Sequence, residues 1–218
     1  MFRVNFFEIK KYLFKEELRV VRHYYRNLRF ALTDLSLRLL YLFSNPYRIC
    51  RKFLQRQGVT NIYAYGETPL TTLERIVRLF EITPQDRWLE LGSGRGRSCF
   101  WISEFLGSEA RGIEWVPTFV ARASFLVKRL SLKRVCFKNI SMQKADFSWA
   151  TVVFLCGTCM SDEEIESIPI ESLPVGAKVI TISERLKSPF FTQIRSIPVS
   201  YPWGETDAYL QIRNSGEI

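Results

Sequence analysis

Residues 87–106, "RWLELGSGRGRSCFWISEFL", set three glycines within five positions between an apolar run and a helical pattern. Arg87–Leu91 reads as a short buried strand, Gly92, Gly94 and Gly96 as a tight turn, and residues 98–106 as a helix packing back through Phe100, Trp101 and Phe105. Strand, glycine turn and helix in that order open a doubly wound α/β sheet. The glycines let the backbone approach a ligand closely, and the helix N-terminus behind them favours an anionic group.

The spacing narrows the ligand. It is G-x-G-x-G, with Arg97 where a dinucleotide fingerprint has its third glycine. Glu90, just before the turn, would repel a pyrophosphate and attract a cation. S-adenosylmethionine supplies a sulfonium and an ammonium for Glu90, and a carboxylate for the helix N-terminus with Arg95 or Arg97 beside it. The expected cradle is Glu90, Gly92, Ser93, Gly94 and Gly96.

Downstream, "ARGIEWVPTF" reads as a strand ending at Glu114, then a helix opened by Pro117. Glu114 lies 24 residues after Glu90, near the spacing at which such folds set a carboxylate on ribose hydroxyls. "ISMQKADFSWATVVFLCGT" reads as a third strand ending at Asp146 and Phe147, then a fourth over residues 151–156. Asp146 is expected to hydrogen-bond an adenine and Phe147 to stack on it.

Together "LELGSGRGR", "GIEW", "ADF" and "VVFLCGT" resemble the class I S-adenosylmethionine-dependent methyltransferases over residues 61–213. The resemblance implies an α/β, Rossmann-like, seven-stranded sheet with helices on both faces. "GAKVITI" would be its fifth strand, after a helix capped by Ser161, and the last strand would return antiparallel within "AYLQIR". It also implies that Trp115 joins Glu114 at the cofactor.

A narrower resemblance concerns "YGET", residues 65–68, which is similar to the loop ahead of the first strand in Dot1-like lysine methyltransferases. "GSGRGR" followed by "VVFLCGT" resembles "GSGDGR"-type protein-lysine methyltransferases, some of which act on membrane proteins. These likenesses imply that Tyr65, Glu67 and Thr68 close over the methionine end of the cofactor, with Glu67 and Tyr65 as catalytic candidates and a protein lysine as acceptor. "FLCGTCM" departs from both groups after the fourth strand, so the acceptor does not carry over from either. It also lacks the "NPPY"-type turn of amino-group nucleic-acid methyltransferases. In the helix of residues 70–81, Thr68 or Thr71 is expected to cap, Thr71 forming a capping box with Glu74.

Charge divides the chain. Residues 1–60 carry 13 Lys/Arg against 4 Asp/Glu, whereas residues 61–218 carry 18 of each. Two domains are expected: a basic helical arm, 1–60, and a methyltransferase domain, 61–218. In the arm Leu28, Leu32, Leu35, Leu39 and Leu42 recur at helical spacing, and Asn45-Pro46 ends the run. The pattern suits a cap packed on the body, an anchor of residues 1–58 to anionic lipid, or an arm on nucleic acid. No run approaches about 18 uncharged apolar residues, the length of a membrane span. His23 is the sole histidine, which excludes a Ser-His-Asp relay and a His-rich metal centre. Five cysteines without framework spacing read as reduced thiols of a cytoplasmic protein, with membrane association open, and Cys156-x-x-Cys159 lacks the second pair a metal site would need.

Overall fold

The computed structural model describes residues 6–215; residues 1–5 and 216–218 of the two expected domains lie outside the described residues. Seven strands form one sheet in the order β3-β2-β1-β4-β5-β7-β6. They are β1 (Arg87–Leu91), β2 (Glu109–Glu114), β3 (Val135–Asn139), β4 (Val152–Leu155), β5 (Lys178–Ile182), β6 (Phe191–Tyr201) and β7 (Gly204–Arg213). The first five are mutually parallel, and β7 runs antiparallel between β5 and β6. This is the expected Rossmann-like sheet, and its strand order reverses between β1 and β4.

Successive side chains on a strand face opposite ways. Trp88 of β1 therefore packs into the core on one face, and Leu89 and Leu91 into a second cluster on the other. The first face carries α4 (Leu70–Leu79), α5 (Arg97–Trp101), α6 (Pro117–Arg129) and the arm helices α1 (Phe6–His23), α2 (Leu28–Leu40) and α3 (Pro46–Arg56). The second is covered by α7 (Asp162–Glu166), two 3₁₀ turns and the loops around them. Ser161 and Glu164 cap α7 reciprocally, as the sequence indicated.

Two expectations are corrected. The third strand does not end at Asp146 and Phe147: it is Val135–Asn139, and residues 145–150 form a loop. As an edge strand with only Val135 buried, β3 has no apolar run to announce it, while Phe147 and Ala150 plug the second core cluster. At α4, Pro69 is the N-cap and no side chain of its own helix caps it. Glu16 of α1 does so instead, accepting from the Thr71 amide at 3.0 Å and the Thr71 hydroxyl at 2.6 Å; the amide would otherwise be an orphan donor of the first turn.

The helix expected over the leucine repeat is α2. Its leucine stripe faces solvent, with Leu35 48% and Leu28 80% exposed, while Phe30, Ala31, Thr33, Asp34 and Leu37 are buried. Both sides of this helix are apolar, so periodicity cannot choose its rotation. Asp34 chooses it, by accepting from the Arg97 guanidinium at 2.7 and 3.0 Å. A buried charge left unpaired costs several kcal/mol, about 3–5 on losing one partner. Leu37→Ala should therefore lower unfolding free energy by about 2–5 kcal/mol, and Leu35→Ser by less than about 0.5 kcal/mol. Chemical denaturation checks the ranking, and its reversal would put the leucine stripe in the core.

Candidate active site

Gly92, Gly94 and Gly96 have φ of +72°, +54° and +83°, left-handed values that a side chain adopts only with strain. At Gly96 a Cβ would also meet the Phe137 ring at 2.5 Å, and at Gly94 the Tyr65 ring at 3.1 Å. The loop is braced from β2. Glu114 accepts from the Gly94 amide at 2.8 Å and the Val116 amide at 2.7 Å. Burial pushes its carboxyl above the usual range in spite of these bonds. Each oxygen keeps a further lone pair, so the brace leaves acceptor capacity for a hydroxyl. The Ser93 hydroxyl is buried in the same loop with no hydrogen-bond partner among the described residues.

Glu90 follows from strand parity. It shares the helical face with Trp88 and lies under the first turn of α5, where it accepts from the Ser98 hydroxyl at 2.5 and 2.6 Å and the Cys99 thiol at 3.1 Å. Burial pushes its carboxyl up to about 7, against the pull of those donors. The expected cation-facing residue thus also ties strand to helix.

The "YGET" segment lies over the glycine loop. Tyr65 rests on Gly94, its ring edge-on to Tyr47 at 5.0 Å and tilted against Phe119 at 5.2 Å, and its hydroxyl donates to Glu67. Glu67 is held by both arms of Arg95, at 2.5 and 2.6 Å. Burial opposes its ionisation, but the Arg95 bonds and charge outweigh it and hold the carboxyl below the usual range. Thr68 lies 3.3 Å from the Tyr201 hydroxyl. The two arginines expected beside a carboxylate ligand are committed elsewhere, Arg95 to Glu67 and Arg97 to Asp34 and Glu17.

At the end of β2, Trp115 is 41% exposed and edge-on to Phe53 of α3 at 5.1 Å. Asn139 donates to the carbonyls of Glu114 and Trp115 at 3.0 and 2.9 Å, and a Cβ on Gly92 would lie 3.6 Å from the Met142 methyl. The sequence did not signal Asn139 or Met142, because one ends and the other follows the edge strand that it misplaced. Asp146 is exposed; hydrogen bonds from the Ser148 hydroxyl and amide hold its carboxyl below the usual range. Phe147 corrects the expectation of adenine stacking: it is 1% exposed, packed with Leu91 and Ile113, and has no free ring face.

These groups meet at the carboxyl ends of β1 and β2, beside the point where strand order reverses, the place open α/β sheets bind ligands. Beyond β4 a second wall forms. Asn61 donates to the Cys159 carbonyl at 2.8 Å, and Trp203 stacks on Tyr201 at 5.3 Å in the β6–β7 turn. Tyr63 is exposed beside Asn61.

No protein-family model and no curated protein matches the sequence. Solved structures match the fold. An RNA methyltransferase from Salinibacter ruber in complex with S-adenosyl-L-homocysteine is 26% identical, with a TM-score of 0.57 over 70% of this chain and 96% of that one. TrmN from Thermus thermophilus is 16% identical, with a TM-score of 0.58 over 69% of this chain and 50% of that one. A mutant of MtNAS in complex with S-adenosylmethionine is 15% identical, with a TM-score of 0.59 over 97% of this chain and 84% of that one, so the likeness there extends over the arm helices.

The raised carboxyl of Glu90 has a signed consequence for stability. Its contribution is full below the unfolded value of 4.5 and is lost as pH rises through about 7. Relative to wild type, Glu90→Gln should flatten the decline of the thermal midpoint between about pH 5 and about pH 8. An unchanged slope would show that Glu90 is ionised in the folded chain throughout that interval.

Proposed function

We propose that this chain, an S-adenosylmethionine-dependent methyltransferase by fold and site, methylates a protein lysine. The observation that carries the cofactor is the cradle itself: three left-handed glycines braced by Glu114 at the switch point, with Tyr65 lying on Gly94. Gly92, Ser93, Gly94 and Gly96 would border the cofactor, Glu114, Trp115 and Asp146 its nucleoside half, and Tyr65, Glu67, Thr68 and Glu90 its methionine half. When bound, the cofactor supplies an electrophilic methyl group on sulfur.

The chain's own work is positioning, since in-line displacement needs a close, aligned nucleophile. Glu67 is bound by Arg95 and by the Tyr65 hydroxyl, so we assign both residues to holding the lid rather than to proton transfer. Burial and the adjacent Cys156 push the Tyr201 phenol well above 10, so it stays neutral and can accept a hydrogen bond from an amine. Tyr63 and Trp203 supply exposed aromatic walls that tolerate a methylammonium product. A lysine must lose its proton before transfer, against a reference pKa of about 10.4. One observation favours a second reading, an RNA acceptor: the 26% identity to the Salinibacter RNA methyltransferase, together with the basic arm.

Calorimetric titration with S-adenosylmethionine and S-adenosylhomocysteine tests the cofactor. Binding should be micromolar, about −8 kcal/mol, and should vanish in Gly94→Arg, whose side chain would be forced against Tyr65; no binding by folded wild type sinks the enzyme reading. Transfer of labelled methyl groups into lysate separates the acceptors. Label in protease-sensitive, nuclease-resistant material, recovered as methyl-lysine, supports the first reading, and nuclease-sensitive label replaces it with the second.

A further inference from the structure

The arm presents an apolar ridge that no part of the described chain covers. On α1, Phe14, Leu18 and Val21 are exposed; along α2 and the turn after it, the leucine stripe continues into Leu42 and Phe43, the latter 96% exposed. At 3.6 residues per turn, Glu17 lies at the border between the buried and the exposed apolar faces of α1, and Arg38 lies at the same border of α2. These two residues form an ion pair, so the seam between the helices runs along the inner edge of both stripes. After the turn at residues 24–27 two side-chain contacts, Tyr25 to Asp34 and Glu17 to Arg38, tie α2 back to α1. Large apolar side chains left bare on two consecutive helices mark an interaction surface.

Its charge identifies the occupant. Three of the arm's four acids are spent internally: Glu16 on Thr71, Glu17 on Arg38 and Arg97, and Asp34 on Arg97 and Arg38. Lys11, Lys15, Arg19 and Arg22 lie exposed beside the α1 stripe. A second copy of the chain would bring the same cationic border against itself. An acidic bilayer surface complements the cations and takes up the leucines and phenylalanines together. No helix among the described residues is long and apolar enough to cross a membrane, so the contact lies in the plane of the interface.

We propose that the α1–α2 ridge docks the protein on anionic lipid, with both helices parallel to the bilayer. The inference depends on the arm's surface alone and not on methyl transfer. Flotation of the full chain with phosphatidylcholine vesicles, with and without phosphatidylserine, tests it beside a Leu35→Glu/Leu39→Glu double variant. Both leucines are exposed, so circular dichroism and the thermal midpoint should match wild type and certify folding. Wild type should float with the phosphatidylserine vesicles, weaken with salt, and lose at least about tenfold in partition in the double variant. Failure to float, or flotation indifferent to the double variant, overturns the docking. So does a concentration-dependent wild-type dimer that the variant abolishes, which would make the ridge a self-association surface, or capture by RNA in place of vesicles.

Discussion

The Arg97 guanidinium occupies the first position of α5, immediately after the glycine turn, at the helix end where a cation is least favoured. It is nearly buried, and the arm supplies its ion-pair partners among the described residues, Asp34 and Glu17, with Arg38 completing the cluster. Burial disfavours the ionised Asp34, yet the charges and hydrogen bonds of Arg97 and Arg38 hold its carboxyl below the usual range. Withdrawing the arm would remove both ion-pair partners of Arg97 at the mouth of the cofactor cradle. The arm is thus bound to the site it covers by an interaction that is costly to break, though two isolated charges would gain little from burial.

The same coupling reaches the lid. Arg95, two residues before Arg97, holds Glu67, and its guanidinium lies 5.0 Å from the Tyr41 ring at the end of α2. Tyr47 of α3 meets Tyr65 on the other side. Both flanks of the lid therefore rest on arm residues. Beneath them, parity along β1 places Glu90 under α5, and parallel pairing aligns the carboxyl ends of β1 and β2 so that Glu114 reaches the Gly94 amide. A loop that would otherwise lose much conformational entropy on binding is set in advance by one strand, one helix and one carboxylate.

This placement explains why a chain with so few acids in its arm shows so basic a surface. Glu16, Glu17 and Asp34 face inward because they answer internal needs: a helix N-terminus at Thr71 and a guanidinium at Arg97. Among the arm's cations Arg29 pairs with Glu104 and Arg38 with Glu17 and Asp34, while Lys15, Arg19 and Arg22 of α1 are exposed. Net charge and apolar exposure on the arm are two results of one packing solution.

Local chemistry was legible in the sequence. The strand of Arg87–Leu91, the glycine turn, the helix opened by Pro117 and the capping box at Ser161 each depend on residues adjacent in the chain, whose propensities and periodicity act over a few positions, whereas the antiparallel return of β7 was implied by the family resemblance. Tertiary structure alone decided the rest. The edge strand β3 borrows its stability from β2 and so shows no apolar run of its own, while Phe147 looked like a strand residue because it fills a core from a loop. The cap on α4 comes from Glu16, 55 residues away, beyond the reach of any local signal. In α2 the sequence established a helix with two apolar faces. Which face turned inward depended on Arg97, 63 residues distant, because a buried charge must be paired while an exposed leucine only forgoes a gain.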